Sequence, residues 1–109
     1  MKRKSGVTES SGNVFEDLGF KDSKELAVKA DLVAAIIKAI AARGLKNQSE
    51  VAARMGIDQP RVSKLIRGHF DEYSVERLME FLAALGNDVE IRVRPHAGTK
   101  PGRIRVRAA

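Results

Sequence analysis

The chain has 109 residues, 43% of them hydrophobic, enough for one domain with its own core. It has no cysteine, which excludes a disulfide framework and a thiolate metal site. Its longest apolar run, Leu32 to Ile37, is far too short to span a membrane. A net charge of +6 favours a polyanionic partner without naming one. With no tryptophan and few aromatics, the core is expected to be aliphatic and helix-packed. The first residues are basic but no apolar region follows, so they do not read as a secretory signal, and the expected location is the cytoplasm.

Met1 to Gly12 is polar, with serine and glycine, and is expected to have no fixed structure alone. Val14, Phe15, Leu18 and Phe20 then stand in a short acidic context. They read as an arm that docks on its own domain or as a segment that folds onto a protein partner. Residues 1–20 are therefore set apart from a domain over 21–87. Asp22 and Glu25 have capping-box spacing, and helical character runs to Arg43. Leu32, Ile36 and Ile40, with Val33 and Ile37 beside them, form a core stripe. A break near Ala30 or Asp31 would divide this stretch into two helices. Gly44 stops it.

Asn47, with Glu50 three residues on, caps a helix that runs to Met55. Ala52 is small where two helices would cross closely, and Gly56 ends this helix. Ile57 plugs the turn, and Asp58 caps a helix from Gln59 to Arg67 with Pro60 in its first turn. Gly68 ends that helix, Phe70 is a core plug, and Ser74 caps a helix to Leu85. Val75, Leu78, Phe81, Leu82 and Leu85 are its inward residues, and Gly86 closes it.

The period then changes to two. Val89, Ile91 and Val93 alternate with Glu90, Arg92 and Arg94, which reads as a strand ended by Pro95. A weaker alternation recurs at Arg103 to Arg107. A single strand cannot stand alone, so it pairs with the second run, with its copy in another subunit, or with both. A two-fold interface is favoured, making 88–109 a strand, a basic tail and a dimerisation element. From Ile91 onward there are six Lys or Arg and no acid (Arg92, Arg94, Lys100, Arg103, Arg105, Arg107). This series reads equally as a DNA-backbone contact or as a solvated strand face that keeps an edge soluble.

Gln48 to Arg67, QSEVAARMGIDQPRVSKLIR, organises the rest. Val62 and Leu65 share one face of the second short helix and anchor it inward. The opposite face carries Gln59, Ser63, Lys64 and Arg67. A helix held from behind that presents amide, hydroxyl and cationic groups suits the DNA major groove. These residues resemble the XRE (lambda-repressor-like) helix-turn-helix family. Gln48-Ser49-Glu50-Val51-Ala52 is similar to its opening, and Gly56-Ile57-Asp58-Gln59-Pro60-Arg61-Val62-Ser63 to its turn and recognition helix. Asn13 to Gly19, Phe81 to Gly86 and Asp88 to Val93 extend the resemblance to the HigA-type antitoxin branch. Asp58 departs from the Ser or Thr that often caps there; its charge near phosphates would cost some affinity.

The resemblance implies a DNA-binding dimer that regulates its own operon and neutralises a co-expressed ribonuclease toxin. A stand-alone XRE-family regulator without a toxin is the alternative. Gln59 can bond adenine N6/N7, and Lys64 can reach guanine O6/N7 or a phosphate. Ser63 can meet a base edge or the backbone, and Pro60 a thymine methyl. Arg61 and Arg67 read as phosphate clamps, and Gln48 as a further phosphate contact by resemblance. Arg54 reads either as another phosphate contact or as an ordinary surface residue.

The expected fold is mostly α: a lambda-repressor-like helix-turn-helix bundle of about five helices with a C-terminal β-strand. The expected ligand is double-stranded DNA bearing a palindromic operator. No cofactor or metal is expected: His69 and His96 lie in loops, and His69-x-Asp71 is too little for a metal site. With no acid–base set near a nucleophile and no phosphate loop after a strand, the chain does not read as an enzyme. No aromatic stacking platform for RNA is visible.

Overall fold

In the computed structural model, residues 22–44 and 47–108 are described. They hold four helices: α1 (Asp22–Ala42), α2 (Gln48–Met55), α3 (Gln59–Ile66) and α4 (Val75–Ala84). The arm residues Val14, Phe15, Leu18 and Phe20 lie outside the described residues. α1 packs along α4 and α2 against α3, while α1 also meets α3 and α2 meets α4.

α1 is continuous through Ala30 and Asp31, where a break would have given a fifth helix. Ala30 is a strong helix former and Asp31 is solvated, so nothing there interrupts the ladder. The inward face of α1 is Val28, Leu32, Val33, Ile36 and Ala39, with Ile40 partly buried. Ile37 was expected beside that stripe, but it is exposed. At about 100° per residue it lies off the face that Leu32 and Ile36 define.

The three short helices begin as expected. Asn47 Oδ1 accepts from the Glu50 N–H at 2.7 Å, Asp58 Oδ1 from the Arg61 N–H at 2.9 Å, and Ser74 Oγ from the Arg77 N–H at 3.0 Å. Each satisfies one of the donors that a helix start leaves free. Asp58→Ala is expected to cost about 1 kcal/mol in urea unfolding, and Asp58→Ser to restore most of it. Gly56 ends α2 at φ 73°, and its N–H and that of Ile57 both reach the Ala52 carbonyl, at 2.8 and 3.2 Å. That left-handed residue turns the chain sharply enough to start α3 three residues later.

The core joins these elements into one cluster. Val51, Ala52 and Met55 of α2, Val62 and Leu65 of α3, and Leu78, Phe81, Leu82 and Leu85 at α4 meet the inward face of α1. Ile57, Phe70, Val75 and Val106 pack on its margin. Among the described residues one charged side chain is buried with them: Lys29. Its ammonium lies 3.5 Å from a Glu25 carboxylate oxygen and donates to the Asp71 carbonyl at 3.2 Å. The pair ties α1 to the loop between α3 and α4.

Residues 87–108 contain no strand or ladder. The expected strand residues Val89, Ile91 and Val93 are all exposed, Ile91 at 77% and Val93 at 92%. An alternating sequence becomes a strand only when another strand satisfies its backbone groups, and the single chain supplies none. Among the described residues no helix is long and apolar enough to cross a membrane.

Candidate nucleic-acid interface

α3 is held from behind by two of the most buried side chains in the chain. Val62 and Leu65 are each 1% exposed. The helix presents the remainder of its short length to solvent: Gln59, Pro60, Arg61 and Lys64 are exposed, as is Arg67 at its C-cap, and Ser63 is half-buried. Gln59, Ser63 and Arg67 stand one turn apart, so they share a face. The Arg67 guanidinium donates to Ser63 Oγ at 3.2 Å. This hydrogen bond holds the long side chain along the helix rather than away from it.

Charge on this surface is only lightly neutralised. Arg61 lies 3.7 Å from an Asp58 carboxylate oxygen, and both side chains are about 60% exposed. An exposed pair of this kind contributes little to stability, and Arg61 can exchange it for a stronger anion. Asp58 therefore caps α3 with one oxygen and meets Arg61 with the other. Among the described residues Lys64 has no carboxylate partner.

Gln48, the first residue of α2, and Arg54, in its last turn, are both exposed. The Asn47 cap occupies the Glu50 N–H, which leaves the first amides of α2 without an intrahelical acceptor. Arg54 complements the negative end of the same helix dipole. Neither is drawn into the core, and neither touches α3 through a hydrogen bond or ion pair.

One feature of this surface was not anticipated. Beyond the C-terminus of α3, an open cleft of about 390 Å³ is lined by Lys64, Arg67, His69, Asp71 and Glu72. Two basic residues, a histidine and two acidic residues thus line one cleft at the end of the presented helix. The only sequence signal was proximity: His69 follows the helix-ending Gly68, and the acid-rich run begins at Asp71.

Two short helices joined by a three-residue link, the second buried on one side and polar on the other, constitute a helix-turn-helix unit. The sequence model of the helix-turn-helix domain family matches residues 14–94. The chain is similar to a solved structure titled "Putative XRE Family Transcriptional Regulator", with 41% identity and a TM-score of 0.74, over 82% of this chain and 100% of that one. It is also 42% identical over 65 residues to "Putative antitoxin HigA3" of Mycobacterium tuberculosis (strain ATCC 25618 / H37Rv). That match covers 60% of this chain and 57% of the relative's length. The chain belongs to the helix-turn-helix domain family, in its XRE-type group. Family and fold are those of transcriptional regulators, which are in general not enzymes.

Proposed function

We propose that the chain is a sequence-specific repressor that binds double-stranded DNA as a homodimer and is the antitoxin of a type II toxin–antitoxin pair, controlling its own operon. The observation that carries the DNA reading is the orientation of α3: Val62 and Leu65 are buried, while Gln59 and Lys64 are exposed. An amide and an ammonium on a short rigid helix match the donor and acceptor pattern of base edges in the major groove. In this reading Gln59, Pro60, Ser63 and Lys64 meet bases. Gln48, Arg61, Arg67 and Arg54 hold phosphates and set the register of the helix.

Two-fold symmetry would set two copies of α3 about 34 Å apart, one turn of duplex, on a palindromic operator. Val89, Ile91 and Val93 supply apolar, exposed residues for pairing between copies. The antitoxin reading is supported by the likeness to the M. tuberculosis relative. It assigns Val14, Phe15, Leu18 and Phe20 to a ribonuclease toxin. The alternative is a regulator without a toxin, and the likeness to the XRE-type structural relative fits either reading. The adjacent reading frame discriminates them: a small basic ribonuclease-like protein there supports the antitoxin.

Selection from a random duplex library should yield a palindromic site. On that site Gln59→Ala is expected to cost about 1–3 kcal/mol and to relax base choice at one position per half-site. Arg67→Ala should instead weaken all sequences alike and lower the salt dependence of binding by about 0.9 for each phosphate no longer engaged. If both variants bind like the wild type, α3 is not the reading helix. Deleting residues 1–20 should abolish toxin binding and leave DNA binding intact; unchanged toxin affinity would put that interface elsewhere.

A further inference from the structure

Residues 88–108 leave α4 and double back on themselves. A Cβ built at Gly102 would lie 3.5 Å from that of His96, so the two ends of the 96–102 loop are close together. Beyond this closure, Arg94 on the outgoing run and Arg103, Arg105 and Arg107 on the returning run are all exposed. Val106, between the last two, packs on the margin of the core and fixes the returning run to the domain.

Three of these guanidiniums act on the fourth. The charges of Arg107 and Arg103, together with slight desolvation and Arg94, hold the Arg105 guanidinium below its ordinary value. Arg92 has an acidic partner, Glu90, at 3.4 Å. Among the described residues the other four form no ion pair, and the sequence contains no acid after Glu90. Arginine remains charged under all ordinary conditions. The positive charge on this surface is therefore permanent, and an external anion would offset it. Protection of a sheet edge needs a charge on the edge; it does not need charges from two runs brought together. Planar forks spaced along an extended segment match a row of phosphates.

We infer that Arg94, Arg103, Arg105 and Arg107 form a second, sequence-independent binding surface for the phosphate backbone of duplex DNA, separate from the bases that α3 reads. The inference rests on the proposed DNA-binding function, but its readout does not depend on an operator.

The test uses the full chain and a duplex of about 40 base pairs of arbitrary sequence, titrated over a range of salt concentrations, where the slope of affinity against salt counts the phosphates engaged. The triple variant Arg103→Gln, Arg105→Gln, Arg107→Gln keeps Val106 in place. Its affinity should fall roughly ten-fold or more and its slope by up to about 2.7 per chain, at about 0.9 for each of the three arginines. Melting temperature and sedimentation mass should be unchanged. Arg67→Ala is the parallel arm. If the triple variant alone lowers the slope, the tail surface stands and Arg67 is not a phosphate clamp; if Arg67→Ala alone does, the reverse holds. An unchanged slope in the triple variant overturns the inference. So does a change in sedimentation mass, which would make these residues part of a contact between copies. Loss of binding confined to a single-stranded RNA of similar length, with duplex binding intact, also overturns it.

Discussion

Replacing Phe81 by alanine is expected to remove about 3–5 kcal/mol of unfolding free energy, the range for truncating a buried aromatic. Phe81 is fully buried on α4. Its ring meets Tyr73 edge to face, with centroids 5.4 Å apart and an interplanar angle of 74°. The Arg77 guanidinium, one turn earlier on α4, lies 4.6 Å from the ring centroid. Truncation thus opens a cavity and also removes an aromatic contact and a cation–π contact. A domain of this size has only about 5–15 kcal/mol in total, so the variant should be marginal at physiological temperature. Urea unfolding followed by far-ultraviolet circular dichroism measures the change. Phe81→Leu, which fills much of the space, should lose less. A loss below about 1 kcal/mol in Phe81→Ala would mean that α1 and α4 do not close on this ring.

The second large effect concerns Glu25 and Lys29. Glu25→Ala leaves an ammonium that is almost entirely buried with only the Asp71 carbonyl for company. Removing one partner of a buried ion pair costs about 3–5 kcal/mol. The Glu25 side chain retains some exposure, so the expected loss is at the lower end, about 3 kcal/mol. Lys29→Met should behave differently: it keeps the apolar stem and removes the charge, and comparable replacements are neutral or stabilising. The double variant Glu25→Ala, Lys29→Met should therefore be more stable than Glu25→Ala alone. If the double variant is the less stable of the two, the destabilisation comes from the missing packing of Glu25 and not from an unpaired charge.

Glu25 and Lys29 also show where reading the sequence stops. The caps Asn47, Asp58 and Ser74, the turn glycine Gly56 and the inward residues of α3 and α4 were all legible, because each depends on neighbours within a few positions. Lys29 was not. A periodicity argument sorts lysine to the wet face, and its carbonyl acceptor is 42 residues away. Ile37 was misassigned because a run of branched residues blurs the angular boundary of a helical face. The strand over Val89 to Val93 expressed a real period of two, but pairing depends on a partner that the alternation does not supply. On α3, the sequence indicated that Gln59 and Lys64 are exposed. It did not reveal that Arg67 is tethered to Ser63, or that His69 shares a cleft with two acids. Those contacts depend on the rotamers of long side chains.

At the far end of α1, the Arg43 guanidinium donates to the Gly86 carbonyl at 3.0 Å and fills the volume that a Cβ at Gly86 would need. Gly86 itself has φ 95°, which other residues resist. The exit of the C-terminal segment is thus tied to the end of α1, the helix that packs along α4. Whatever that segment grips, tension on it is delivered to α1 as well as to α4, so the domain is pulled as one block and α3 keeps its bearing.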